Sequence, residues 1–239
     1  MDGDRPSGSD AVGVSVAVAA NFAGPLARIA EGFTAATGHT LKTSTGSTGK
    51  FYSQIVAGAP FDVLIAADDE TPKKLMLQGH AVAGSAFTYA IGQLVLWSAQ
   101  AGLVDDQGAV LASSRFSRLA LANPKLAPYG AAAVETLTQM AVLQTVQPKV
   151  VQGENISQTY QFIATENAQL GFVALSQVMS DGRIAQGSSW VVPAHLHSPI
   201  RQDAILLVKG RDAPAAAALM RFLRGERARA LIRSFGYGL

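Results

Sequence analysis

A two-lobed α/β fold is predicted by the length of the chain, its apolar content and its alternation of strand and helix patterns. The 239 residues suit one large domain or two lobes of about 100 residues each. Hydrophobic residues make up 49% of the chain and charged residues 15%, which is enough apolar material for a packed core. Short apolar runs alternate with helical patterns, and this favours mainly parallel sheets flanked by helices.

The first strand and helix lie near the amino terminus. Residues 14–20 (VSVAVAA) form a β-branched run that is typical of a strand buried on both faces. Helical spacing follows, with Pro25 suited to the first turn and Gly38 to the carboxyl-terminal cap. The amides from about Asn21 to Gly24 therefore open a helix and need hydrogen-bond partners.

The same alternation continues along the chain. Further strands are predicted at 39–45, 61–66, 93–97, 119–122, 149–152, 170–175 and 200–208. Helices are predicted at 47–57, 71–79, 129–140 and 155–165, and two more between 213 and 235. In the helix at 71–79, Thr71 is expected to be the cap and Pro72 the first helical residue.

Two extended segments are expected to join the lobes, near residue 90 and near residue 199. One lobe is then predicted to comprise residues 12–90 plus 200–239, and the other residues 91–199. The two crossings would form a two-strand hinge, and residues 1–11 would form a disordered lead.

Charge and residue content exclude several classes of function. The net charge is +2 and the basic residues are scattered, so nucleic acid is not an expected partner. Cysteine is absent, which excludes disulfides and thiolate metal sites. The chain has no apolar run of about 18 residues, so no transmembrane helix is predicted. Its polar start carries no signal peptide, and it is either a disordered lead or the trimmed end of a mature exported protein.

Four turns share one form, in which a strand ends, small or polar residues follow and a helix begins. They are AAN at 19–21, GSTG at 46–49, NPKLAPYGA at 123–131 and GENIS at 153–157. Helix amino termini present unpaired N–H groups and bind anions without a charged side chain. Asn, Ser and Thr in such turns also serve as plain caps. The pattern alone is thus compatible with an anion site where the four turns meet, and equally with four ordinary helix caps.

The second turn lies in TSTGSTGK (43–50), which partly matches a nucleotide-binding phosphate loop. Ser44 occupies the first glycine position of that motif, and Phe51 replaces the hydroxyl residue that would bind magnesium. Lys50 shares a helix with inward-facing apolar residues and is expected to face solvent. We therefore do not expect this loop to bind a nucleotide.

Longer strings resemble one protein family. They are VAVAANFAGPLARIAEGF, GSTGKFYSQIVAGAPFDVLIAADD, LALANPKLAPYGAAAVETL, and GENI with LGFVALS, and with the RSFGYGL ending they span nearly all of residues 14–236. They resemble the periplasmic molybdate-binding proteins of ABC importers, within the type II periplasmic binding protein superfamily. The resemblance implies two α/β lobes that close on a tetrahedral oxyanion held by neutral donors. It also implies a periplasmic location and a membrane permease as partner. We expect a monomer.

The resemblance also assigns contacts to the four turns. Asn21 falls at the first contact, where many relatives have serine. Thr48 falls at the second through its hydroxyl and amide, with Ser47 beside it. Tyr129 and Ile156 fall at the third and fourth, each through its backbone N–H.

A fifth contact in some relatives is a tyrosine hydroxyl, and this chain has Ala174 at that position. The full five-residue pattern is therefore incomplete. The Asn21 side chain or the Tyr129 hydroxyl is a candidate to replace the missing donor.

The chemistry of the ligand explains why such a site needs donors alone. Molybdate and tungstate are dianions that offer only acceptors, whereas a carboxylate in the site would select a protonated anion such as hydrogen phosphate. The nearby acidic residues are expected to be turn and cap residues (Asp68, Asp69, Glu70) or to point away (Glu154). The leading hypothesis is a molybdate and tungstate binder. The alternatives are a binder of sulfate or another oxyanion, and an enzyme acting on a phosphorylated substrate.

Catalytic and metal-binding patterns are not expected in this chain. His195 and His197 have no evident third ligand, so a metal site is not predicted. No Gly-x-Ser-x-Gly elbow and no obvious pair of catalytic carboxylates occur. We expect no enzymatic activity, no cofactor and no direct metal site.

Overall fold

A computed structural model of the chain describes residues 13–180 and 182–239. The expected disordered lead, residues 1–11, lies outside these residues. The chain folds into two five-stranded sheets flanked by helices, which confirms the predicted α/β class. Within the described ranges, no helix has both the length and the apolar character needed to cross a membrane.

Twelve strands and nine α-helices occur in the described residues. The strands are β1 (Gly13–Ala19), β2 (Thr40–Gly46), β3 (Val63–Ile65), β4 (Phe87–Gly92), β5 (Leu94–Ser98), β6 (Leu119–Ala122), β7 (Val150–Gly153), β8 (Leu170–Ala174), β9 (Met179–Ser180), β10 (Arg183–Ile184), β11 (Ser188–Val191) and β12 (Ile200–Leu206). The helices are α1 (Ala23–Thr37), α2 (Thr48–Val56), α3 (Glu70–Leu77), α4 (Pro128–Gln139), α5 (Leu143–Val146), α6 (Ile156–Ala164), α7 (Leu175–Val178), α8 (Pro214–Arg224) and α9 (Glu226–Ser234). A 3-10 turn at Ala20–Phe22 precedes α1.

Each five-stranded sheet contains one reversed strand, and β9 and β10 form a separate antiparallel pair. The first sheet has the order β2-β1-β3-β12-β4, in which β12 is antiparallel to both neighbours. The second has the order β11-β5-β8-β6-β7, in which β5 is antiparallel to both neighbours. Both reversed strands directly follow a crossing between the sheets. The chain leaves the carboxyl edge of one sheet and enters the same edge of the other, so the next strand must run away from that edge.

The strands of the two sheets occupy separate parts of the sequence. Those of the first sheet lie within residues 13–92 and 200–206, and those of the second within 94–191. The expected lobe boundaries at 90/91 and 199/200 remain a prediction. One of the two crossings is short, because only Gln93 separates β4 from β5.

Two helix ends illustrate where local signals succeeded and failed. Gly38 caps α1 in the left-handed conformation, with φ of 74°, as its position in the sequence predicted. The predicted start of α3 was wrong, because the helix begins at Glu70 and Thr71 lies inside it. Asp69 occupies the cap position without a capping hydrogen bond from its side chain, and the carboxylate of Asp68, one residue earlier, accepts from the Thr71 N–H (2.9 Å) and hydroxyl (3.0 Å).

Gly38→Ala is expected to lower the free energy of unfolding by about 1 kcal/mol, because only glycine adopts a left-handed φ without strain. No heavy atom lies within 4 Å of a Cβ added there, so backbone conformation alone accounts for the loss. Gly24→Ala is the matched control: it lies in α1, also in open space, and should be neutral or stabilising. Denaturant unfolding of both variants measures this, and equal effects would contradict the explanation.

Candidate functional site

A small cavity lies between the two five-stranded sheets, where the amino termini of helices that follow their strands come together. It is lined by 19–21 at the start of the first helix, 46–48 at the start of α2, Ala67 after β3, 127–129 at the start of α4, and Ile156 at the start of α6. Three of these segments follow the carboxyl ends of β1, β2 and β3 in the first sheet, and the other two follow β6 and β7 in the second. Open α/β sheets bind ligands at this edge.

All five residues expected to bind the ligand line this one cavity. They are Asn21, Ser47, Thr48, Tyr129 and Ile156, and each is at most 5% exposed. The structure thus brings together residues that are up to 135 positions apart in the sequence, from Asn21 to Ile156. Their contacts with a ligand remain a prediction.

The start of α2 offers two hydroxyl groups. Ser47 is the N-cap residue of α2 but makes no capping hydrogen bond with its side chain. The Thr48 hydroxyl oxygen accepts a hydrogen bond from the Ala67 N–H (3.0 Å). Because a hydroxyl has one proton to donate, this arrangement leaves the Thr48 proton available as a donor.

The starts of α4 and α6 offer backbone N–H groups. Tyr129 is the second residue of α4 and Ile156 the first of α6, so neither N–H has an acceptor within its own helix. At α6 the Asn155 side chain accepts from the N–H groups of Ser157 and Gln158, both at 3.0 Å. Asn155 therefore caps the second and third amides of the helix and leaves the first, that of Ile156, beside the cavity.

The side chains of Asn21 and Tyr129 are engaged within the protein. Asn21 Nδ2 donates to Gln202 Oε1 (2.8 Å) and to the Tyr237 hydroxyl (3.0 Å), which uses both of its hydrogens. The Tyr129 hydroxyl accepts from Gln202 Nε2 (2.9 Å). The Asn21 amide therefore has no hydrogen left for a ligand, whereas the Tyr129 hydroxyl accepts from Gln202 and keeps its own proton. The replacement of the donor missing at Ala174 by one of these side chains stays a prediction. The backbone N–H groups of Asn21 and Tyr129 are the better candidates for contact with a ligand.

Ala174 ends β8 and is fully buried. Its N–H donates to Gln177 Oε1 (3.0 Å), and Gln177 Nε2 donates to the Ile156 carbonyl (3.1 Å). Gln177 thereby ties the end of β8 to the start of α6. This residue was not singled out from the sequence, because alanine at the cap position removes the Ser/Thr-x-x-Gln pattern that would have marked it.

No charged side chain lines the cavity among the residues that the structure describes. Lys50 and Glu154 are exposed, as expected from the sequence. Asp68, Asp69 and Glu70 instead line a larger groove of about 370 Å³ beside the cavity, and Asp69 and Glu70 pair with Lys73 at 2.8 and 3.0 Å. The cavity lining is therefore electrically neutral.

The hydroxyl groups beneath the cavity stay protonated at physiological pH. Burial raises the pKa of Tyr237 to about 12, and burial likewise raises the pKa values of Tyr89 and Tyr129 well above the ordinary value. The cavity has a volume of about 10 Å³ and fits one water-sized group. A larger ligand therefore requires the walls to separate slightly.

The histidines considered for metal binding lie away from this site. His195 is exposed in a 3-10 turn at Ala194–Leu196, and His197 Nδ1 lies 2.8 Å from the Ser198 carbonyl. Within residues 13–180 and 182–239, no group of three or more His, Asp and Glu side chains is placed to hold a metal ion.

Known proteins resemble this chain in both amino-acid sequence and fold. The family model described as "Bacterial extracellular solute-binding protein" matches residues 14–238. The molybdate-binding protein ModA of Azotobacter vinelandii is 56% identical over 231 residues, which cover 97% of this chain and 92% of that protein. ModA of Rhodobacter capsulatus is 50% identical, with 94% of this chain and 87% of that protein covered. The solved structure of the A. vinelandii periplasmic molybdate-binding protein matches with a TM-score of 0.92 at 42% identity, over 95% of this chain and 99% of that one.

Asp68→Asn is expected to gain stability relative to the unsubstituted chain as pH rises from about 4.5 to about 7. Burial raises the pKa of Asp68, and the hydrogen bonds from Thr71 oppose this only in part. A carboxyl group with a raised folded-state pKa stabilises the fold below its unfolded pKa and loses that contribution as pH rises. Urea unfolding at the two pH values measures the difference.

Asp105→Asn is the control and should change with the opposite sign, mainly below about pH 4.5, so its unfolding is also measured at about pH 3. Slight burial opposes the ionised form, but the N–H groups of Ala109, Gln107 and Val110 outweigh it, so the pKa of Asp105 is lowered. Its carboxylate stabilises the fold above the unfolded pKa, and this contribution is lost as pH falls. The same pH trend in both variants would contradict the assignment.

Proposed function

We propose that this chain, which belongs to the family of bacterial extracellular solute-binding proteins, binds molybdate in the cleft between its lobes and delivers it to the permease of an ABC importer. The similar proteins confirm the family that the sequence motifs indicated. ModA proteins are named for molybdate binding, and two of them are 50% identical to this chain or more.

One observation carries the proposal, namely that the cavity is lined by neutral groups that can donate hydrogen bonds. These are the hydroxyls of Ser47 and Thr48 and the first-turn N–H groups of Asn21, Tyr129 and Ile156. A fully ionised tetraoxyanion offers only hydrogen-bond acceptors, so a site made of donors is chemically complementary to it. The positive ends of the converging helices add a favourable field without a counter-charge.

We extend the proposal to tungstate, which is also a tetrahedral dianion with only acceptors. Sulfate is a smaller tetrahedron and cannot reach all the donors at once. Each buried donor left unpaired costs about 1–3 kcal/mol, so a single missed contact lowers affinity at least several-fold. Binding of sulfate or another oxyanion is the closest alternative.

Catalysis on a phosphorylated substrate is the alternative from another class, and the lining disfavours it. A general base must lie within hydrogen-bond reach of the proton that it abstracts. Asp68 lies next to the cavity in sequence, but its carboxylate is held by Thr71. We therefore propose a binding protein that needs no cofactor.

The walls of the cavity come from both sheets, which suggests how binding is coupled to closure. Thr48 belongs to α2 beside the first sheet, whereas Tyr129 and Ile156 belong to α4 and α6 beside the second. A ligand meets all the donors only when the lobes are together, so it stabilises the closed state by its differential affinity. We propose that the closed, ligand-bound form is what the permease recognises.

We also propose that the chain acts as a monomer in the periplasm and does not bind nucleic acid. The solved A. vinelandii relative is described as periplasmic. The net charge of +2 gives little attraction for a polyanion.

Calorimetric titration with molybdate, tungstate, sulfate and phosphate tests the proposal. We expect tight binding of the first two and no measurable heat from the others, because only the larger dianions reach every donor. Sulfate or phosphate affinity similar to that of molybdate would overturn the assignment of ligand.

Thr48→Ala is expected to weaken molybdate binding by about tenfold or more, because a hydrogen bond to a charged partner contributes about 1.5–3 kcal/mol. Thr48→Ser keeps the hydroxyl and should retain most of the affinity. Lys50→Ala should change affinity less than about twofold, because exposed charges contribute little. The reverse ranking of Thr48→Ala and Lys50→Ala in titrations would favour a phosphate-loop role for Lys50.

A further inference from the structure

Gln202 lies on β12, beneath the cavity and outside its lining, and is fully buried. Gln202 pairs with Ala90 of β4 and Asp203 pairs with Thr88, so the register shifts beside Gln202 and Tyr89 of β4 is left without a partner in the ladder, as in a β-bulge. Bulges redirect side chains next to functional sites. The local backbone thus departs from a regular ladder at the residue whose side chain reaches towards the cavity walls.

The Gln202 side chain joins the two opposite walls of the cavity. Its Oε1 accepts from Asn21 Nδ2 (2.8 Å), at the start of the first helix, and its Nε2 donates to the Tyr129 hydroxyl (2.9 Å), at the start of α4. The Tyr89 hydroxyl lies 3.0 Å from Oε1 and shares its one proton with the nearer Ala66 carbonyl, at 2.7 Å. One amide therefore connects a turn of the first sheet with a helix of the second.

The last residue of β4 is a glycine, Gly92, and this leaves room for the connection. A Cβ added at Gly92, the last residue of β4, would overlap the Tyr129 hydroxyl and lie 2.5 Å from Gln202 Nε2. Any other residue at this position would displace the hydrogen bond between Gln202 and Tyr129. Gly92 also pairs with Ile200, so the close approach occurs where the chain crosses between the sheets.

An apolar core would avoid the cost of burying these groups. Burying an amide and phenol hydroxyls costs free energy unless every group is paired, and here the partners are supplied by Asn21, Tyr89, Tyr129, Gln202 and Tyr237. A buried polar network specifies one geometry, because its hydrogen bonds fail when the elements shift. The network lies behind the turns of Asn21 and Tyr129, so the geometry that it specifies is the position of these two turns relative to each other.

We propose that Gln202 is a positioning residue that fixes the Asn21 and Tyr129 turns relative to each other and so sets the affinity for the oxyanion. It acts through Tyr129 and Asn21 and does not touch the ligand. The inference rests on the proposed function, because the ligand it serves is the one proposed there.

Two variants and their combination test this role. Gln202→Met removes the amide with little change of volume, and Tyr129→Phe removes only the hydroxyl that accepts from it. Each should lower molybdate affinity about tenfold, mainly through faster dissociation, since closed-state contacts are lost. The double variant should bind no more weakly than the weaker single variant, because both remove the same connection.

Thr136→Val is the matched control for a general loss of buried polarity. Thr136 is also fully buried and lies on α4, but its hydroxyl donates only to the Ala132 carbonyl within the same helix (2.8 Å). It should lose stability without losing affinity. Thermal unfolding of each variant, measured beside stopped-flow dissociation rates, separates the two effects.

The outcomes distinguish the two proposals. Wild-type affinity in folded Gln202→Met and Tyr129→Phe, or losses that add in the double variant, would overturn the role of Gln202 and leave the proposed function intact. Absence of molybdate binding by the unsubstituted chain would overturn the proposed function and this inference with it.

Discussion

The rest of the structure depends on one constraint: the first N–H groups of a helix have no partner inside that helix. The fold collects several such groups at one point by ending strands of both sheets at the same cleft. The strand after each crossing, β5 or β12, runs in the reverse direction because it starts from that cleft. The amino termini of the first helix, α2, α4 and α6 then face a common space.

Side chains decide which of these N–H groups remain free for a ligand. Asn155 satisfies the second and third amides of α6 and leaves that of Ile156. Ser47 stands at a cap position without capping, and Thr48 accepts from Ala67 so that its proton is available. Residue types that cap helices elsewhere thus act in two ways here. Asn155 satisfies N–H groups at a helix start, whereas Ser47 and Thr48 leave donor groups unpaired.

Local signals in the sequence predicted the turns but not what supports them. Proline and glycine marked the two ends of α1 at Pro25 and Gly38, because their backbone preferences act within a few residues. The family resemblance supplied the five cavity residues, and strand-to-helix patterns alone gave only their turns. The network around Gln202 could not be predicted, because it joins residues 73 to 216 positions apart and depends on a bulge. The start of α3 was mistaken because Asp69 occupies the cap position and the Asp68 carboxylate accepts from the Thr71 N–H, with Thr71 inside the helix.

A neutral site makes selectivity a matter of geometry. Lysine or arginine in the cavity would attract any anion, since a charge is felt at a distance and tolerates displacement. Neutral donors contribute fully only at hydrogen-bond distance, so their positions must be held to within tenths of an ångström. Loose loops cannot hold them, and a permanently closed cleft would prevent entry. On our proposal the buried amide of Gln202 meets both needs, because its hydrogen bonds to Asn21 and Tyr129 form in only one arrangement of the two walls. Discrimination between dianions of similar charge would then be set beneath the cavity as much as by the groups that line it.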